Sequence, residues 1–339
     1  MVKGSVQCYN GKRKTVNRGK DADMKEIKEA EKMKNENGKM WFDDRGEPIQ
    51  AHGGCILKYR NTWYWYGENK GVENVPGMSR VDVIGISCYS SPDLKIWHYE
   101  GLALPVGGEK NSLLRPECVC ERPKVLYNEK TGRFVMWMHL DDAAYCYAGV
   151  GVAVSDTPTG PFKLIREFHP NRQDSRDMTL FGEDGRAWLI HSSNWNKTLH
   201  IAELTEDYTD VNGVYVSALA EQEREAPALV RHGDLYYMVT SGCTGWEPNS
   251  ALYAVSGHMM GQWKLVDNPC EGEGYRKTFG GQSTFIFQAE GHDYLMLDHW
   301  RPDDLKNSGY SILPILFENG NMTIKWVDCF TDYYGETVR

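Results

Sequence analysis

The sequence predicts an all-β chain built as a five-bladed β-propeller, and three observations carry that prediction. A short apolar strand, a tight turn and an aromatic-rich strand recur in that order five times. The repeats are spaced by roughly 50 to 65 residues, the period expected when each repeat is one four-stranded blade. A polar residue stands just upstream of the last four repeats: Glu121, Asp177, Glu225 and Gln282.

Taken in chain order, residues 1–40 differ from the rest. They are rich in Lys, Glu, Asp and Asn, and their one apolar stripe is Met24, Ile27, Ala30 and Met33. That spacing predicts a short amphipathic helix between residues 21 and 34 on a solvated arm. From Trp41 onward strands alternate with Gly, Asn, Asp and Pro turns, so residues 41–339 read as one propeller domain. The first hairpin joins Cys55-Ile56-Leu57-Lys58-Tyr59 to Trp63-Tyr64-Trp65-Tyr66, and the second joins Pro123-Lys124-Val125-Leu126-Tyr127 to Phe134-Val135-Met136-Trp137. The third runs Met178-Thr179-Leu180-Phe181 into Ala187-Trp188-Leu189-Ile190, and the fourth Pro227-Ala228-Leu229-Val230 into Leu235-Tyr236-Tyr237-Met238-Val239. The last runs Ser283-Thr284-Phe285-Ile286-Phe287 into Tyr294-Leu295-Met296-Leu297. Third strands are expected at 83–89, 149–154, 200–204, 252–255 and 311–317. Outer strands are expected around Trp97, Trp263 and Trp326, giving four strands per blade.

Composition narrows the partners. A formal charge of −9 argues against nucleic acid or an anionic membrane surface. No apolar run approaches the ~18 to 20 residues of a membrane span. The 19 Tyr and 11 Trp suit strands, and they also suit flat surfaces that stack on sugar rings. None of the nine cysteines falls in a C-x-x-C spacing, so they read as buried apolar thiols. The chain opens without the apolar segment of a signal peptide. A periplasmic or extracellular location is expected, with the signal absent from the given chain; the cytoplasm is the alternative. A monomer is expected. The sequence contains no Rossmann glycine pattern, P-loop, HExxH or G-x-S-x-G motif.

The blade-leading residues carry the chemistry. Innermost strands bring their ends to one axial mouth, so Glu121, Asp177 and Glu225 should gather three carboxylates around one cavity. Like charges held together raise at least one pKa, which keeps a carboxyl protonated as a general acid near neutrality. Glycosidic bond cleavage uses that arrangement, with one acid for the leaving oxygen and a second group for water.

Here the sequence resembles a known family. The stretch Glu225-Ala226-Pro227-Ala228-Leu229-Val230-Arg231-His232-Gly233-Asp234-Leu235-Tyr236-Tyr237 is similar to the general-acid blade of glycoside hydrolase family 43. Asp177-Met178-Thr179-Leu180-Phe181-Gly182-Glu183-Asp184-Gly185-Arg186-Ala187-Trp188 resembles its pKa-modulating blade. With Pro48-Ile49-Gln50-Ala51-His52-Gly53-Gly54 and Gly280-Gly281-Gln282-Ser283, the pattern resembles subfamily 24, the exo-β-1,3-galactanases. The resemblance spans residues 41–339. It implies inversion of configuration and a β-1,3-linked galactan, in polysaccharide or oligosaccharide form, as substrate. It implies no cofactor and no metal, because the last blade lacks the His that serves a central metal in many members. The first blade also departs from most of the family: His52-Gly53-Gly54-Cys55 stands where an Asp-Pro usually supplies the base.

The resemblance makes Glu225 the acid, Asp177 its modulator and Gln282 the holder of the water. Glu121 remains the alternative base on chemical grounds and otherwise binds sugar hydroxyls, as does Glu68. Tyr145, Thr244, Trp246, Trp300 and His52 are the further candidates for contact with substrate. Two other functions stay open at this point. One is an α-L-arabinofuranosidase or β-galactofuranosidase of a sister subfamily, and the other is a carbohydrate-binding propeller without hydrolysis.

Overall fold

Each blade interface is built from strands whose two faces are both buried. In the second blade Phe134, Met136, Met138 and Leu140 pack toward the first blade, whereas Val135 and Trp137 pack toward the third. Side chains alternate along a strand, so a strand buried on both faces reads as a continuous apolar run. Five such clusters fill the five interfaces.

A computed structural model describes residues 1, 35–107 and 112–336. The helix expected between residues 21 and 34 lies outside the described residues. Five sheets follow one another along the chain. The first holds β1 (His52–Tyr59), β2 (Thr62–Glu68), β3 (Gly85–Ser91) and β4 (His98–Pro105). The second holds β5 (Val119–Asn128), β6 (Arg133–Asp141), β7 (Gly149–Ser155) and β8 (Lys163–Phe168). The third holds β9 (Met178–Glu183), β10 (Arg186–Ser193), β11 (Thr198–Leu204) and β12 (Val211–Ser217). The fourth holds β13 (Arg224–His232), β14 (Leu235–Gly242), β15 (Leu252–Ser256) and β16 (Lys264–Leu265). The last holds β18 (Gln282–Ala289), β19 (His292–His299), β20 (Gly309–Glu318) and β21 (Asn321–Lys325).

The innermost strands β1, β5, β9, β13 and β18 touch in that order and return to β1, closing a five-bladed propeller. The last blade departs from the expected four strands. A fifth, β17 (Cys270–Glu271), runs parallel to β21 on its outer edge. The ring closes through residues expected to belong to the arm. Asn37 is buried and donates to the carbonyls of Ile312 at 3.1 Å and Val327 at 2.9 Å, while its own amide oxygen accepts from Ile312 N–H at 2.9 Å. Residues 35–40 therefore belong to the propeller, and the boundary shifts from 40 to 34. Helix α1 (Phe330–Glu336) follows, with Phe330 packed among the aromatics between the first and last blades.

Of the eight cysteines among the described residues, six are buried, and Cys146 and Cys243 are exposed. No helix among the described residues is long and apolar enough to cross a membrane.

Candidate active site

Four of the five innermost strands break register at the same place. The shifts fall between His52 and Cys55, Glu121 and Lys124, Glu225 and Ala228, and Ser283 and Phe285. A bulge re-aims the side chains beside it. In three of these blades the residue after the leading one is left-handed: Gly53 at φ 58°, Arg122 at 54° and Ala226 at 51°. The leading residues also share a register. His52 pairs with Glu68, Glu121 with His139, Glu225 with Ser241, and Gln282 with Asp298. In the third blade Asp177 occupies the same place and accepts the Ser192 N–H at 2.9 Å.

This geometry gathers Glu121, Asp177, Glu225 and Gln282 around one cavity of about 160 Å³. Glu68, Tyr145, Trp246 and Trp300 line it as well, together with Lys70, Arg122 and Gly245. Two expected contacts are corrected. His52 leads the first blade but is fully buried, because its ring stacks on Tyr310 at 4.5 Å and its nitrogens engage the Asp298 carboxylate and the Tyr310 hydroxyl. It lies 5.4 Å from Trp300, centroid to centroid, and so stands behind the cavity wall and not in its lining. Thr244 stands beside the lining residues Gly245 and Trp246, but its hydroxyl turns into its own loop and donates to the Glu247 carbonyl.

The gap in the first blade has a physical explanation. A Cβ on Gly53 would lie 2.1 Å from Glu68 Oε1, and one on Gly54 would lie 1.8 Å from the Tyr66 carbonyl. A carboxylate thus reaches the site from the neighbouring strand; Gly53 makes room for it, and Gly54 lets the two backbones approach closely. Glu68 accepts the Arg122 N–H at 2.9 Å and the Lys70 ammonium at 2.8 Å. Burial pushes its carboxyl up, although Lys70 opposes the shift.

Arg122 ties the cavity together. It grips Asp177 with two bonds of 2.9 Å each and donates to Gln282 Oε1 at 2.7 Å and to the Ser283 carbonyl at 3.3 Å. Trp300 Nε1 donates to the same Gln282 oxygen at 3.0 Å. Two obligate donors on that oxygen fix the amide's orientation. Its nitrogen then donates to Glu225 Oε1 and Ser241 Oγ, both at 3.1 Å. Asn196 Nδ2 holds the other Glu225 oxygen at 3.1 Å.

Two carboxyls are driven apart. Burial, and next the Asp177 charge, push Glu225 up to about 8 although Arg122 pulls the other way. Burial also opposes the charge on Glu121, but the hydrogen bond from His139, the Lys70 ammonium and the Tyr145 hydroxyl outweigh it and hold the acid down at about 2. His139 itself is buried, yet Asp141 and Glu121 on either side raise it to about 9. Asp141 is thus a buried partner of His139. One proton-holding and one permanently ionised carboxyl in the same cavity suit acid-assisted cleavage of a polar bond.

Arg122, Lys70, His139, Ser241 and Asn196 are absent from the candidates drawn from sequence. Arg122 had a usable signal, since it occupies the bulge position held by small residues in the first and fourth blades. Asn196 lies in a hairpin loop and had none. Among the described residues no group of three or more His, Cys, Asp or Glu side chains is placed to hold a metal ion.

Residues 50–314 match the family described as glycosyl hydrolases family 43. A β-1,3-galactosidase of that family, solved with galactodeoxynojirimycin, is 39% identical with a TM-score of 0.83, covering 87% of this chain and 99% of that one. An exo-β-1,3-galactanase from Phanerochaete chrysosporium, solved with β-1,3-galactotriose, is 31% identical at TM-score 0.78, covering 85% of this chain and 66% of the other. One from Clostridium thermocellum is 35% identical at 0.77, covering 86% and 65%. A curated β-D-galactofuranosidase from Aspergillus niger is 28% identical over 229 residues, 63% of this chain; the chain spans 65% of that relative's length.

Proposed function

This chain belongs to glycosyl hydrolase family 43, and from that premise we propose that it is an inverting, exo-acting enzyme that releases galactose from β-1,3-galactan. The observation that carries the proposal is Glu225, a carboxyl still protonated near neutral pH, beside Asp177 in a cavity sized for one sugar ring. A cavity that admits one ring supports cleavage from a chain end. The neighbours named for exo-β-1,3-galactanase activity support the choice of sugar and linkage.

In this reading the terminal galactose enters with its glycosidic oxygen against Glu225. The acid gives its proton to that oxygen as the bond to the anomeric carbon breaks, and the shortened chain leaves as an alcohol. A water held by Gln282 attacks from the opposite face, which inverts the anomeric centre, and the proton it loses passes to solvent, from which Glu225 is reprotonated. Asp177 keeps Glu225 protonated between turnovers, and Arg122 orients Asp177 and Gln282 together. A carboxylate held near 2 is a weak base and a strong hydrogen-bond acceptor, which favours hydroxyl binding over proton abstraction for Glu121. Glu68 serves a second hydroxyl, and Trp246 and Trp300 supply apolar faces.

The decisive test is Glu225→Gln. Galactose release from β-1,3-galactan should fall by three or more orders of magnitude, the range lost with an essential acid, while circular dichroism stays unchanged. Wild-type turnover in that variant would sink the assignment. The Aspergillus niger relative favours a second reading, β-galactofuranoside cleavage. Preferential release of galactofuranose on a panel of both substrates would select it. We further propose that the enzyme acts as a monomer outside the cytoplasm, checked by sedimentation and cell fractionation.

A further inference from the structure

The loop between β10 and β11 combines three features that folding alone does not require. Asn194, Trp195 and Asn196 are all left-handed, at φ 51°, 57° and 62°. None is glycine, and consecutive residues of this kind persist only where their surroundings over-determine them. Asp174 does so here. Its carboxylate accepts the Ser193 hydroxyl and the Asn194 N–H at 2.7 Å each, the Trp195 N–H at 3.2 Å and Arg176 at 2.7 Å. The product of this strain is an indole that joins no core cluster. Trp195 is 72% exposed, with one face laid over the Arg176 guanidinium at 4.5 Å.

The loop's position gives that exposed face a use. The next residue, Asn196, holds Glu225 Oε2, and Arg176 directly precedes Asp177 in the chain. The strained turn therefore reaches the acid through Asn196, and the Arg176 that lies over its indole is the chain neighbour of the modulator. On the proposed galactanase reading, Glu225 protonates the oxygen that joins the terminal sugar to the rest of the chain, so whatever flanks Glu225 on the outside flanks the leaving chain. We infer that Trp195 is a stacking platform for the galactose units beyond the scissile bond, with Asn196 as a positioning residue that orients the acid toward them. Galactose presents an apolar face of C–H groups that packs on an indole, while the guanidinium behind the ring fixes its tilt. On the same reading the cavity of about 160 Å³ takes the terminal unit, and a surface of this kind adds affinity for the rest of the chain.

The inference rests on the galactanase reading, and the experiment separates the two. Galactose release is measured on β-1,3-galactotriose, which has a leaving chain, and on β-galactosyl fluoride, which has none. The ratio of kcat/KM for the first to the second should fall about tenfold in Trp195→Ala and stay within about threefold of wild type in Trp195→Phe. An unchanged ratio in Trp195→Ala overturns the platform. Wild-type enzyme that cleaves neither substrate overturns the galactanase reading itself, and the platform with it.

Discussion

Asp177 faces two groups of opposite sign: Arg122, which grips it with two hydrogen bonds, and Glu225, whose ionisation it opposes. The acid works only while protonated, so kcat/KM should decline as pH rises through the Glu225 value of about 8. Asp177→Asn removes the like charge and leaves Arg122 uncompensated, and both changes ease ionisation of Glu225. The alkaline limb of the pH profile should then move to lower pH; a limb that stays or rises contradicts this account. The four leading residues were legible in the sequence because the repeat itself placed them in register. Arg122 was marked only by its size at a bulge position that small residues hold in the first and fourth blades. Lys70 was not marked at all, because its role depends on side chains converging from different blades, which leaves no periodic trace.

At the scale of the strand, the first hairpin shows how a blade can bring its carboxylate from the neighbouring strand. The leading strand β1 carries glycines and no carboxylate there. Glu68, a candidate from the sequence, stands on β2 as the cross-strand partner of His52. Substituting Gly53→Ala should both strain the left-handed bulge and push Glu68 aside. A loss of roughly 1–3 kcal/mol in urea unfolding is expected, together with a higher KM for galactan oligosaccharides. Wild-type stability and KM would show that the space beside Glu68 is not needed. Strand legibility followed burial. Inner and second strands announce themselves as apolar runs, whereas β12 is mostly exposed and its composition blends into the neighbouring turns. β17, at two residues, is too short to carry a pattern, whereas β16, equally short, was marked by the aromatic Trp263 before it.

Over the whole molecule the fold was predictable because one unit is repeated, and repetition averages out local ambiguity. The closure was not. Nothing in Asn35-Glu36-Asn37-Gly38-Lys39 distinguishes it from the polar arm before it, and its role appears only when the last blade lies beside it. Besides the Asn37 amide bonds, Gly38 N–H donates to the Tyr310 carbonyl at 2.8 Å and Tyr310 N–H to the Lys39 carbonyl at 3.0 Å. Asn37→Ala leaves buried backbone groups of Ile312 and Val327 unpaired, so a loss of roughly 2–4 kcal/mol is expected in urea unfolding. An unchanged midpoint would show that the closure is held by other contacts.

That clasp also sets an order of events during synthesis. Asn37 leaves the ribosome among the first residues of the propeller, and its partner Ile312 lies 275 residues further along. Until the last blade is made, the inner face of the first blade has no neighbour on one side, and Trp41, Trp63 and Trp65 are left uncovered. A nascent chain in that condition exposes aromatic surface for most of its translation time, which makes it a substrate for chaperones. Its vulnerability to aggregation therefore belongs to the unfinished ring and ends when the two distant segments meet.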